Sequence, residues 1–121
     1  MTASNPSVVN RGEIYWIDWS PGRGSEQTGK RLALVIQENP ASANANYPLT
    51  IIAAISTKGR EVPSHVQIQP SEKNGLSAVS YVKCEQVQTI SKYRILQRIG
   101  ELTAIDMDRV GAALRAVLAL T

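Results

Sequence analysis

The sequence predicts a small, mostly antiparallel β barrel finished by one C-terminal α-helix, and three observations carry that expectation. Apolar runs are short and separated by turn chemistry, as in NPASANANYP at 39–48 and SEKNG at 71–75. The stretch 12–19 alternates, with Ile14, Trp16 and Asp18 on one face and Tyr15, Ile17 and Trp19 on the other. Only one segment has a sustained helical repeat, and it comes last: Thr103 and Asp106 make a cap ahead of Met107, Val110, Leu114, Val117 and Leu118, one packing stripe. Strands followed by a terminal helix favour a sheet curled round a core and covered by that helix.

In chain order, residues 1–10 carry no pattern and read as a loose tail, leaving 11–121 as a single domain. Both faces of 12–19 are apolar, so that strand is expected to be covered on both sides or to lie at a subunit interface, with Pro21 closing it. Gly22 to Thr28 is polar and glycine-rich, and leads through Gly29, Lys30 and Arg31 into LALVI (32–36), a buried strand. The segment 39–48 reads as a mobile loop anchored only by Tyr47 and able to rim a site. A third strand, 49–55, ends in the polar, basic loop STKGR (56–60). Residues 65–69 alternate as a half-exposed strand, 71–75 turn, and 77–90 supplies one or two further strands.

Composition narrows the function classes. A chain of 121 residues forms one domain, so any activity sits on the scaffold itself. A net charge of +3 favours an anionic partner only weakly, but Arg23, Lys30, Arg31, Lys58 and Arg60 all fall in two loops that could face each other across a phosphate track. The single cysteine, Cys84, rules out an intramolecular disulfide and suits a reducing compartment. With one histidine and no carboxylate cluster at ligand spacing, no metal or other cofactor is expected. The polar N-terminus and the absence of any apolar run near ~18 residues predict a cytoplasmic protein that does not cross a membrane.

Gly24, Gly29 and Lys30 fit the spacing of a nucleotide-binding P-loop, but the next position is Arg31 rather than Ser or Thr, and a strand follows where a helix should. Arg31 itself offers a planar, permanently charged fork suited to a phosphodiester; the other reading pairs it with Glu26 or Glu38. Ser56 and Thr57 place hydroxyls where an apolar strand meets a basic loop, a position also filled by ordinary turn residues. His65 is open to casting as a general base or as a strand histidine hydrogen-bonded to a neighbour or ligand.

The ordered set GEIYW (12–16), GSEQ-x-G-x-R (24–31), IIAAIS (51–56), VPSHVQI (62–68) and CEQVQTI (84–90) resembles the MazF/PemK (Kid) family of type II toxin endoribonucleases over roughly residues 10 to 120. The chain departs from the family pattern at Leu32, where Pro is usual, at Ser56, where Thr is usual, and at Gln88, where Arg is frequent. The resemblance implies an SH3-like barrel of the plasmid-toxin (CcdB/MazF) fold that cuts single-stranded RNA, without metal, to 2′,3′-cyclic phosphate and 5′-hydroxyl ends. It implies catalytic roles for Arg31, Ser56 (or Thr57) and Glu26, and RNA contacts for Gln27, Lys30, Lys58, His65, Glu85 and Gln86. It also implies a homodimer and a cognate MazE-like antitoxin. Two other classes compete: a gyrase-poisoning, CcdB-like toxin acting by protein binding alone, and a nucleic-acid-binding barrel without cleavage. Neither needs the GSEQ-x-G-x-R loop.

Overall fold

The computed structural model describes residues 6–19 and 29–120. Six strands and two helices follow in the order β1 (Glu13–Asp18), β2 (Lys30–Val35), α1 (Asn39–Ser42), β3 (Leu49–Ser56), β4 (His65–Ile68), β5 (Ser80–Ser91), β6 (Ile95–Glu101) and α2 (Ala104–Val117). They make one sheet of order β4-β5-β3-β2-β1-β6, antiparallel at every pairing. The two edges are drawn together by the 71–75 turn, whose Lys73 carbonyl accepts from Glu101 N of β6 at 3.0 Å. Gly75 has a φ of +70°, and a Cβ there would lie 2.0 Å from the Ile99 carbonyl oxygen. The expected barrel therefore closes by a turn seated on a strand, which only glycine permits at that contact.

Alternation sorts the side chains into two cores. Ile14, Leu34, Ala53, Ile55, Val66, Val82 and Cys84 form the first, to which α2 contributes Val110 and Ala113. Tyr15, Ile17, Trp19, Ala33, Val35, Ile52, Ile90 and Ile95 form the second, joined by Val9. Both expected apolar faces of β1 are thus covered within one chain. Of the two alternatives for Tyr15, Ile17 and Trp19, cover within the chain or a subunit interface, the first is seen: they are buried with Ile95 of β6 and Val9 before β1, while Trp16 remains 40% exposed.

Several expectations change. Of the tail, the described residues from Pro6 carry no regular element, yet Val9 is fully buried and its N–H bonds the Ser42 carbonyl at 3.1 Å. The segment 39–48 is not held by Tyr47, which is 41% exposed; it forms the single turn α1, with buried Ser42 Oγ 2.7 Å from Thr50 Oγ1. Buried Lys92 ties the segment down further, donating to the carbonyls of Ser7 (2.8 Å), Ser42 (2.8 Å) and Asn44 (3.0 Å). In α2, Thr103 Oγ1 accepts from Asp106 N at 3.1 Å as the cap requires. The stripe nevertheless stops short: Val117 and Leu118 are exposed, and Ala113 takes a buried place. β6 was not foreseen. Among the described residues no helix is long and apolar enough to cross a membrane.

Candidate functional site

β2 begins just after Gly29, whose φ of +69° turns the chain into the strand and whose carbonyl accepts from Trp19 N at 2.9 Å, one step beyond the Asp18–Lys30 pair of the β1–β2 ladder. Arg31 follows, opposite Ile17 of β1. On its other side the β2–β3 register runs as far as Leu32 opposite Ile55, and Arg31 and Ser56 are the next residue on each strand. The neighbouring ends of two paired strands therefore carry Arg31 and Ser56.

Both line a cleft of about 450 Å³ at this end of the sheet. Lys30, Lys58 and Lys83 bring further positive charge, Thr57 and Ser80 further hydroxyls, and Trp16, Leu32 and Ile55 an apolar floor. No carboxylate stands among these described lining residues. The field in the cleft favours an anion, and the mixed floor and walls suit a ligand with both phosphates and flat apolar bases.

The basic loop is held from within. Ser56 Oγ accepts from Lys58 N at 3.1 Å, which leaves the Ser56 proton to be donated elsewhere. Gly59 lies against the ring of Tyr81, the β5 partner of Ser56; a Cβ there would come 2.2 Å from the ring. Arg60, expected to face the track, does not line the cleft.

His65 and Glu85 stand apart from the cleft and bond each other, His65 Nε2 to Glu85 Oε2 at 2.8 Å. The second ring nitrogen, Nδ1, accepts from Arg60 N at 3.0 Å. A histidine so occupied, with its side chain 8% exposed, is the strand histidine of the second reading and not a general base facing substrate. Burial resists ionisation of Glu85, but the His65 hydrogen bond, its own backbone N–H and the charge of Lys83 hold the carboxyl below its ordinary value. Glu85 and Gln86 lie where β5 loses register with β3: Ala53 faces Val87 and Ala54 faces Lys83, so residues 84–86 bulge. Neither lines the cleft. Burial, and secondarily the Glu85 charge, pushes the Cys84 thiol up to about 11, which makes it a core residue and not a nucleophile.

Glu26 and Gln27, with Arg23, lie outside the described residues. Sequence reasoning missed Trp16, Ser80 and Lys83 as cleft residues. Lys83 reads as one more polar position on an alternating strand; only its pairing opposite Ala54, two residues from Ser56, brings it to the cleft. Among the described residues no group of three or more His, Cys, Asp or Glu side chains is placed to hold a metal ion.

Residues 10–118 match the model of a family described as PemK-like, MazF-like toxin of type II toxin-antitoxin system. Endoribonuclease EndoA of Bacillus subtilis (strain 168) is 39% identical over 115 residues, covering 93% of this chain and 97% of that protein. An endoribonuclease solved in complex with its cognate antitoxin, from Mycobacterial species, superposes with a TM-score of 0.77 at 23% identity, over 94% of this chain and 98% of that one. MazF from Deinococcus radiodurans gives 0.75 at 24% identity, over 93% and 97%. At such identities the two structures speak for the fold alone.

Proposed function

The chain belongs to the PemK-like, MazF-like toxin family of type II toxin-antitoxin systems, and from that premise we propose that it is an endoribonuclease whose cutting site is the Arg31–Ser56 cleft. The observation that supports this reading is that Arg31 and Ser56, each next to the Leu32–Ile55 pair on β2 and β3, line one cleft together with further cations.

The chemistry that fits is intramolecular. The ribose 2′-oxygen attacks the adjacent phosphorus, the bond from phosphorus to the 5′-oxygen breaks, the 2′-hydroxyl proton is lost and the departing 5′-oxygen gains one. The products are a 2′,3′-cyclic phosphate and a 5′-hydroxyl. Arg31 stabilises the extra charge of the pentacoordinate state with its planar fork, and the Ser56 hydroxyl, already accepting from Lys58 N, donates to a non-bridging oxygen. Lys30, Lys58 and Lys83 draw in the backbone, and Trp16, Leu32 and Ile55 receive a base. Single-stranded RNA suits such a site because its bases are free and its backbone can reach in-line geometry. Glu26 and Gln27 are assigned to ribose and base contacts on the motif they share with the family. The direct test incubates purified protein with mixed-sequence RNA in excess EDTA. Discrete fragments with cyclic phosphate ends are expected; strict magnesium dependence with 5′-phosphate ends would overturn the mechanism.

The partners follow the same reading. A cognate antitoxin blocks the cleft, as befits a relative of an endoribonuclease solved with its own. The chain forms a homodimer, supported now by the exposed apolar residues Val117, Leu118 and Leu120 after the packed part of α2 rather than by β1. Sedimentation showing a monomer at micromolar concentration would contradict the dimer.

A further inference from the structure

We propose that His65 is a positioning residue for the cutting site: its imidazole, oriented by Glu85, fixes the Ser56–Arg60 loop and so sets where Ser56, Thr57 and Lys58 stand in the cleft. The inference rests on the cleft being the site of RNA cleavage. His65 sits at the first position of β4, outside the cleft, and lines a separate hollow with Val62, Pro63, Val66 and Arg109 of α2. It reaches the cleft through the Arg60 backbone, and its ring is also tilted against that of Tyr81, with centroids 6.4 Å apart. The loop leaves β3 at Ser56 and is tied at two points by side chains on the way to β4: Lys58 N donates to Ser56 Oγ (3.1 Å), and Arg60 N donates to His65 Nδ1 (3.0 Å), while backbone bonds run from Val62 N to the Arg60 carbonyl (2.9 Å) and from His65 N to the Val62 carbonyl (3.0 Å). Between these ties Gly59 is pressed on the Tyr81 ring.

The second tie needs a particular tautomer. Nδ1 accepts only if the proton of the neutral ring is on Nε2, and Glu85 Oε2, 2.8 Å from Nε2, receives that proton's hydrogen bond. Glu85 in turn is placed by the bulge at residues 84–86, where Cys84 N donates to the Ser64 carbonyl at 2.8 Å beside His65. A strand irregularity, a carboxylate and an imidazole thus form a chain that ends on the loop carrying Thr57 and Lys58. Misplacing such a loop by about 1 Å is enough to cost on the order of a hundredfold in rate.

The two bonds of His65 can be separated by amides. In Asn, Oδ1 is the same number of bonds from Cβ as His Nδ1, so His65→Asn keeps the acceptor for Arg60 N and loses the reach to Glu85. In Gln, Nε2 matches His Nε2, so His65→Gln keeps the Glu85 bond and loses the loop tie. Single-turnover RNA cleavage in EDTA is measured for the parent, Asn, Gln and Ala variants, together with amide hydrogen exchange of Arg60 and of the β4 amides. The expected result is a rate within about threefold of the parent for Asn, and a loss of tenfold to a hundredfold for Gln and Ala. Arg60 N–H exchange should accelerate only in Gln and Ala, with β4 still protected in all. Asn performing no better than Ala, or Arg60 exchange that does not respond to the Ala or Gln change, would overturn the proposal; an Ala variant that fails to fold leaves the Asn–Gln comparison to decide it. A parent protein that does not cut RNA would refute the functional reading, while the exchange data would still judge the loop tie.

Discussion

At the Leu49 end of β3 one ammonium, Lys92, is buried and gives its three donors to the carbonyls of Ser7, Ser42 and Asn44; at the Ser56 end, Lys30, Arg31 and Lys58 are exposed around an open cleft. The two places are separated by the length of one strand, roughly 23 Å at ~3.3 Å per residue. A buried cation has to find all its acceptors inside the fold, and Lys92 does so by stitching the N-terminal segment and α1 to the 3₁₀ turn before β6. Burial lowers its pKa, but three carbonyl oxygens at hydrogen-bond distance leave the charged form well housed. The cations at the other end line a solvent-facing cleft, which in the proposed reading receives the phosphodiester.

The comparison breaks if the two ends respond alike to substitution. Lys92→Met removes the donors and leaves buried carbonyls unsatisfied, so it should destabilise the fold by about 2–3 kcal/mol, on the order of a hundredfold in the folding equilibrium. Chemical denaturation would read this, and the rate of RNA cleavage by the folded fraction should stay close to that of the parent. Ser56→Ala at the other end should do the reverse. It removes a donor from the cleft and an acceptor from an exposed N–H, so the cleavage rate falls about tenfold or more while the unfolding midpoint hardly moves. Thr57→Ala, one residue on, sharpens the assignment: a change of less than about threefold is expected if Ser56 carries the hydroxyl chemistry. A larger loss for Thr57 than for Ser56 would exchange their roles.

Much of this division was legible in the sequence, and unevenly so. The strand at 32–36 and the helix after Thr103 follow from local chemistry, a branched apolar run and a capped 3.6-residue repeat, and both stand in the structure. The cleft end was readable because its residues are clustered in sequence, Lys30–Arg31 and Ser56–Lys58, and because both clusters sit at strand ends. The Lys92 knot was not. Its acceptors come from positions 7, 42 and 44, and nothing local to Lys92 says that its ammonium will be buried. β6 was missed for a related reason: ILQRIGE has charges and a glycine, and it pairs with β1 only through two irregularities of register. Gly100 belongs there because the backbone of Asn74 approaches it so closely, a contact between segments far apart in sequence. The second face of β1 shows the same limit from the other side. Its apolar character was read correctly, but which surface covers it depended on where Val9 and Ile95 fold back.

The account turns on Arg31 acting through its shape as well as its charge, and the substitution Arg31→Lys tests that most directly. Lysine keeps a positive charge at the β2–β3 register position but loses the planar two-pronged donor set, and its ammonium is more strongly hydrated. Measured as single-turnover cleavage of a single-stranded RNA in EDTA, with RNA affinity and unfolding midpoint followed in parallel, the rate should fall about a hundredfold or more while the other two hardly change. An Arg31→Lys protein that cuts at close to the parent rate would contradict the central claim and take Arg31 out of the cutting site.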